Sequence, residues 1–365
     1  MNRLVMMLIF ILSLAWPVLG AGQWIVYEGT SGPGQGKHIV LISGDEEYRS
    51  EEALPLLARI LATHHGFKCT VLFAIDPTTG IINPNNRNHI PGLKALDSAD
   101  LMVIFTRFRD LPDEQMQYID NYLQSGKPVV GIRTSTHAFL SDSNNKWGHY
   151  ANGYDGGKKA WKDGFGRLVL GEKWISHHGR HRHQSTRGII APGATSHPIT
   201  RGLKDIDIWG PTDVYGVRLP LPDGAQPLVL GQVVNRRGEY DSQDTLFGMR
   251  PTDDDIVGEH SGHEGKGNLN DPMMPIAWTK PYRLPGGKVG KAFSSTIGAS
   301  TDLLSKGTRR LLVNGIYWAT GLEKEIPPKG ARVQVVGEYR PTGYGFRKGD
   351  YWLRQGLRTS DLQAK

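Results

Sequence analysis

Short apolar runs alternate with amphipathic stretches along this chain, and each run breaks into polar residues at its end. His38 to Ser43 reads as a buried strand leading into Gly44-Asp45-Glu46-Glu47-Tyr48-Arg49-Ser50. A helical period follows, with Leu54, Leu57, Ile60 and Leu61 on one face and Pro55 expected in the first turn, where proline is tolerated. Phe67 to Ile75 reads as a second strand, Pro91 to Leu96 as a short helix and Asp100 to Thr106 as a third strand. Asp113 to Gln124 is an amphipathic helix closed by Gly126. Pro128 to Ile132 then ends abruptly in Arg133-Thr134-Ser135-Thr136-His137. Alternating strands and helices of this kind predict a parallel sheet with right-handed crossovers, an α/β fold of the flavodoxin-like, doubly wound type. Ligands in such sheets bind where the carboxyl ends of strands meet the loops.

After Phe139 the alternation fails. Residues 141–166 read as a long irregular lid and 238–271 as a second polar insertion. Thr186 to Ile190 and Leu228 to Val234 read as strands, Pro275 to Thr279 and Val289 to Ile297 as a closing pair, and Asp302 to Thr320 as the last helix. This divides the chain into a flexible lead at 22–36, one α/β domain at 37–326 with long loop insertions, and a C-terminal extension at 327–365. Ala331 to Val336 is expected as an edge strand of that extension.

Residues 1–21 add an expectation of export. Arg3 precedes an apolar run from Leu4 to Trp16, and small residues at Gly20 and Ala21 suit signal cleavage. The run is too short for a comfortable membrane span, so a periplasmic or secreted protein with no stable span after cleavage is expected. Cys69 is the single cysteine, so no intrachain disulfide can form. The formal charge of +7 comes from scattered Lys and Arg, without a nucleic-acid motif or aromatic-interleaved basic repeat, which argues against a nucleic-acid partner.

Candidate chemistry gathers at the strand ends. Asp45, Glu46, Glu47, Tyr48 and Arg49 follow the first strand; of these, Asp45, Glu47, Tyr48 and Arg49 are candidate substrate contacts, as are Asp213 and Tyr215 further on. Arg133 at the end of a buried strand is either a clamp for a developing oxyanion or the partner of Glu47 or Asp45. His137 is a candidate acid–base group. His177, His178, His181 and His183 crowd into seven residues. They leave open a divalent metal, shared with Asp213 or a carboxylate of the first strand end, or a histidine that acts without metal. No HExxH or CxxC pattern is present, and the cofactor stays undetermined. His177 or His178 is placed in the pocket, with His181 and His183 at its periphery. Trp147, Trp161 and Trp174 are candidates for stacking on sugar rings. His260, His263 and Glu264 read as a loop run without helical metal geometry.

The SGDEEY loop, the VVGIRTSTHAF elbow, and the blocks SHPITRGL, DVY, PIAWTKPY, KAFSSTIGAS and RRLLVNGIYWATGLE together resemble the ThuA-like, trehalose-utilisation family. The resemblance covers roughly residues 37–326 and implies a class I glutamine amidotransferase-like fold, with a link to sugar catabolism through 3-keto sugars. The chain departs from the pattern at three places. Amidotransferases carry Cys at the elbow, whereas this chain reads Gly131-Ile132-Arg133, which excludes thiolate glutaminase chemistry. Many ThuA-like proteins carry His at that elbow and Gly-His at the closing strand end; here those positions hold Arg133 and Gly298-Ala299. The family's Asp-Glu-x-Tyr becomes Thr212-Asp213-Val214-Tyr215. The expected function is therefore an exported enzyme using general acid–base chemistry on a small-molecule or oligosaccharide substrate. Arg133, His137, His177 and His178 are its catalytic candidates. A non-catalytic carbohydrate-binding protein and a metal-dependent hydrolase are the alternatives, and a homo-oligomer is left open.

Overall fold

The computed structural model describes residues 22–222, 224–258 and 267–363, and within them eleven strands form one sheet. The first half builds the parallel core: β1 (Trp24–Tyr27), β2 (His38–Gly44), α1 (Ser50–His65), β3 (Lys68–Phe73), β4 (Leu101–Thr106), α2 (Asp113–Gln124) and β5 (Val129–Ile132). The second half adds β6 (Gln184–Ile190), β7 (Trp209–Gly210), β8 (Gln226–Asn235), β9 (Asp255–Ile256), β10 (Met274–Arg283), β11 (Val289–Ser295) and α3 (Lys306–Ala319), then the short α4 (Tyr351–Gln355) and α5 (Thr359–Gln363).

The strand order is β1-β3-β2-β4-β5-β11-β10-β8-β6-β7, with β9 beside β8. Strands β3, β2, β4, β5 and β11 run parallel. Their side chains are buried on both faces, which explains the continuous apolar runs. Beyond β11 the sheet turns antiparallel through β10, β8, β6 and β7. The doubly wound core is thus extended by an antiparallel wing, and α1 and α3 pack on it through Leu57, Ile60, Leu61, Leu312 and Ile316.

Three local expectations need correction. The lead at 22–36 carries an edge strand, because β1 pairs with β3 in register Trp24 to Leu72. Pro55 lies beyond the first turn of α1, which begins at Ser50; the bond it forgoes is the one a residue there would donate to the Glu51 carbonyl. Ala331 to Val336 forms no strand; its carbonyls at Arg332 and Val333 instead accept from His65 and Arg309 of the flanking helices.

Candidate active site at the strand ends

The loops after β2, β4 and β5 meet at the carboxyl edge of the parallel core. Each places a non-glycine residue in the left-handed region: Arg49 (φ 63°), Phe108 (φ 49°) and Arg133 (φ 47°). Such conformations cost of order 1–3 kcal/mol and persist where surrounding contacts over-determine them.

At the β2 end, the Asp45 carboxylate accepts from the main-chain N–H groups of Glu47 and Tyr48 and from the Thr134 hydroxyl. It is fully buried, so it shapes the loop and has no access to a substrate. The same loop turns Glu46 toward Arg109 and Arg107. Glu47 faces the other way, 3.5 Å from Arg107 Nε and 3.7 Å from His181 Nε2.

At the β5 end, the positive φ swings the Arg133 side chain under the site. Its guanidinium donates to the carbonyls of Asp213 (2.8 Å) and Thr296 (2.7 Å) and to Asp213 Oδ1 (3.0 Å). The rings of Tyr215 and Tyr48 sandwich it at 3.8 and 4.3 Å. With 1% exposure it cannot reach a substrate oxygen, which corrects the oxyanion-clamp expectation. Its partner is Asp213, neither Glu47 nor Asp45.

Asp213 is positioned from the antiparallel wing. Thr212 donates to buried Asp302, whose carboxylate also accepts from the N–H groups of Gly298 and Ala299, tying this segment to the end of β11. Gly210 lies so close that a Cβ there would meet Asp302 Oδ1 at 2.1 Å. The histidine segment bridges alongside: His178 N–H donates to the Val214 carbonyl at 2.8 Å, and Gly216 N–H to Ser176 at 2.9 Å. His177 Nδ1 therefore lies 2.7 Å from Asp213 Oδ2, and His181 Nδ1 3.2 Å from Oδ1.

One buried carboxylate thus holds a guanidinium and two imidazoles. Burial works to raise the Asp213 pKa, but the Arg133 charge and the two histidine bonds outweigh it and hold the carboxyl far below its usual range. Burial pulls His177 down; the Asp213 bond and charge overcome it, so His177 titrates above its ordinary value. For His181 burial wins and the shift is downward. His137 is pushed well down, by burial first and then by the Arg107 charge, and stays neutral.

Glu47, Arg107, Phe108, His137, Trp174, His177 and Tyr215 line a small cleft of about 30 Å³. The Glu47 carboxyl is raised to about 7, by burial and then by the charge of Asp45. An unfolded Glu ionises near 4.5, so the native state keeps a proton that the unfolded state has already lost. Its burial therefore penalises folding increasingly as pH rises between those values. Glu47→Gln is expected to leave stability unchanged near pH 4 and raise it by about 2–3 kcal/mol at pH 8. Denaturant midpoints at the two pH values measure this; an equal effect at both contradicts the shift.

The structure brings together Glu47, His137, His177, Asp213 and Tyr215 from the sequence-derived set. It adds Arg107, Phe108 and His181, the last of which had been assigned to the periphery. His178 turns away, with Nε2 against the Leu269 carbonyl at 2.8 Å. Arg49 also leaves the site: it pairs with Glu51 at 2.9 Å and Glu52 at 3.2 Å and lies over the Trp352 ring. Tyr48 is fully buried beneath Arg133 and supports it rather than a substrate. Trp147 and Trp161 are nearly buried in a hydrophobic core the lid shares with the sheet and α2, and of the three tryptophans only Trp174 lines this cleft. His260, His263 and Glu264 lie outside the described residues. Arg107 was missed although β4, like β2 and β5, ends in charge: Thr106-Arg107-Phe108-Arg109 carries the same strand-end signal.

No curated protein sequence matches the chain. Among solved structures, a protein described as ThuA-like from Bacteroides uniformis ATCC 8492 is 13% identical with a TM-score of 0.43, covering 80% of this chain and 95% of that one. Another so described, from Parabacteroides merdae ATCC 43184, is 14% identical with a TM-score of 0.41, covering 85% and 97%. An exo-β-1,4-mannosidase from Opitutaceae bacterium strain TAV5 is 9% identical with a TM-score of 0.26, covering 78% and 36%. The family model for ThuA, trehalose utilisation, matches residues 39–319, from β2 to the end of α3. The chain belongs to the ThuA, trehalose-utilisation, family.

Proposed function

We propose that the protein is an exported enzyme of carbohydrate catabolism that transfers protons on an oxidised sugar of the 3-keto type. The observation that carries this reading is the placement of His177, held by Asp213, and Glu47 on one small cleft. A carboxyl near neutrality beside a histidine that keeps its proton longer than usual suits a base and an acid working together.

In this mechanism the Glu47 carboxylate takes the proton from the carbon beside the sugar carbonyl. The C–H electron pair becomes the C=C bond of an enediol, and the carbonyl π pair moves to oxygen, which takes the His177 proton. Arg107, on the cleft wall, stabilises the charge that develops there. An enediol hydroxyl then returns its proton to His177 as a carbonyl re-forms, while Glu47 gives up its proton either to the former carbonyl carbon, an isomerisation, or to the glycosidic oxygen as its bond to the next carbon breaks, a cleavage by elimination. Asp213 and Arg133 do not touch the substrate; they fix the His177 ring and its tautomer. The test is turnover of a panel of 3-keto glycosides against their unoxidised parents. Consumption of the keto forms alone is expected; turnover of the parent glycosides at equal rate overturns the reading.

A second reading rests on one further observation. His177, His181 and Asp213 each offer a donor atom, and the three atoms lie within 4.8 Å of one another. Two imidazoles and a carboxylate suit a divalent transition metal. One feature weighs against it: Asp213 Oδ1 already accepts from the Arg133 guanidinium at 3.0 Å, a fixed positive charge that opposes a second cation on the same carboxylate. Exhaustive chelation is expected to leave turnover of the keto sugar intact. Stoichiometric metal in the purified protein, with activity lost on its removal, establishes the metal-dependent alternative instead.

A further inference from the structure

The C-terminal segment 327–363 lies beyond the family-matched residues, yet it runs across the site. Tyr339 donates to the Ser300 carbonyl at 2.7 Å, and Thr342 Oγ1 to Glu52 at 2.7 Å. Gly345 N–H then donates to the Glu47 carbonyl at 2.7 Å. Past the site, Leu357 accepts from Ile82 N–H and Leu362 from the Tyr27 hydroxyl. The segment is therefore a strap fastened at both ends, and its middle is attached to the loop that carries the proposed base.

Two aromatic side chains near its middle, Tyr344 and Phe346, have opposite surroundings. Tyr344 is 1% exposed, stacks on Tyr48 at 5.3 Å, meets His181 edge-on at 5.2 Å and donates to the Pro211 carbonyl. Phe346 is 47% exposed. It is nonetheless held in place, because the Arg107 guanidinium lies 4.8 Å from its ring centre and 4.7 Å from that of Phe108. A single exposed aromatic is ordinary on a protein surface. One stacked on a cleft residue and pinned by a strap at the cleft mouth is placed for contact.

The cleft is small, about 30 Å³. A cyclic substrate that reaches into it extends past its mouth, where exposed Phe346 and half-buried Trp174 are available. A sugar ring has an apolar C–H face that packs on an aromatic ring while its hydroxyls stay in water. We propose that Phe346, supplied by the strap, is the stacking platform that holds the sugar ring at the mouth. This makes it a specificity-determining residue that selects cyclic, terminal keto sugars over open-chain ones. The inference rests on the sugar-directed reading above, but it concerns binding and not the proton transfer.

The test uses methyl 3-keto-α-glucopyranoside as probe, with dissociation constants from calorimetry and KM and kcat from turnover. Wild type is compared with Phe346→Ala and Phe346→Trp, and thermal midpoints serve as the folding check. Phe346→Ala is expected to weaken binding and raise KM by about tenfold while kcat stays within about twofold, as loss of one stacked aromatic implies. Phe346→Trp restores wild-type values. Equal binding by wild type and Phe346→Ala overturns the platform, even if the probe is turned over. Weaker binding by Phe346→Ala, with no turnover by any form, supports the platform and contradicts the proton-transfer reading instead. No binding of the probe by wild type overturns both.

Discussion

Asp213→Asn is expected to lower stability by about 3–5 kcal/mol, the scale for breaking a buried ion pair from one side. The substitution removes the counter-charge from a guanidinium that is 1% exposed and locked between two tyrosines. In a domain of this size the thermal midpoint should fall by roughly 10 °C. The pH dependence has a definite sign. The folded pKa of Asp213 lies below the unfolded one, so its contribution is complete above the usual carboxylate range near pH 4 and is lost only as the pH falls through the folded value. The gap between wild type and Asp213→Asn should therefore persist from pH 8 down to about pH 4, widening as His177 takes up the proton that Asp213 stabilises, and narrow only in stronger acid. Pairing Asp213→Leu with Arg133→Met should recover much of the stability, since an apolar pair of similar volume replaces a buried ion pair at little cost. It should not recover activity, because His177 then loses the carboxylate that holds its Nδ1. A midpoint for Asp213→Asn within about 2 °C of wild type shows that the pair contributes little.

The second large effect falls on catalysis. His177→Ala and Glu47→Gln should each lower kcat on a 3-keto glycoside by about 10²–10⁴, the range for loss of a positioned acid or base. The folding midpoint of neither variant should drop as that of Asp213→Asn does. His177 retains substantial exposure, and Glu47→Gln removes a carboxyl whose burial is penalised at neutral pH. The rate should rise with pH through about 7 as the Glu47 carboxyl ionises, and fall at higher pH as His177 loses the proton that Asp213 helps it keep. Glu47→Gln should abolish the rising limb. A rising limb that survives in Glu47→Gln assigns the base elsewhere.

The parallel core was readable because strands buried on both faces leave uninterrupted apolar runs, as in Val40-Leu41-Ile42 and Met102-Val103-Ile104. The antiparallel wing was only partly readable: β6 and β8 showed as strands, but two-residue strands such as β7 and β9 leave no period. β1 was missed because Trp24-Ile25-Val26-Tyr27 stands alone in a Gly-rich lead, and its identity as an edge strand depends on its partner β3. The site was legible as a set of strand ends but not as a geometry. Nothing local distinguishes His177 from His178; only the bridge between the histidine segment and Val214-Tyr215-Gly216 turns one toward Asp213 and the other toward Leu269. Arg133 likewise looked like a residue for substrate because it follows a buried strand. Its burial under Tyr48 and Tyr215 is a tertiary fact with no local signature. The strap was set apart as an extension, but its role at the cleft depends on long-range contacts such as Gly345 to Glu47.

The central claim is that Glu47 and His177 move a proton at the carbon beside a sugar carbonyl. The most direct test is NMR of methyl 3-keto-α-glucopyranoside incubated with the protein in D₂O. The account predicts deuterium at the carbon next to the carbonyl, appearing far faster than in buffer and lost in Glu47→Gln and His177→Ala. Exchange no faster than buffer while the sugar is bound, or exchange that persists in both variants, contradicts it.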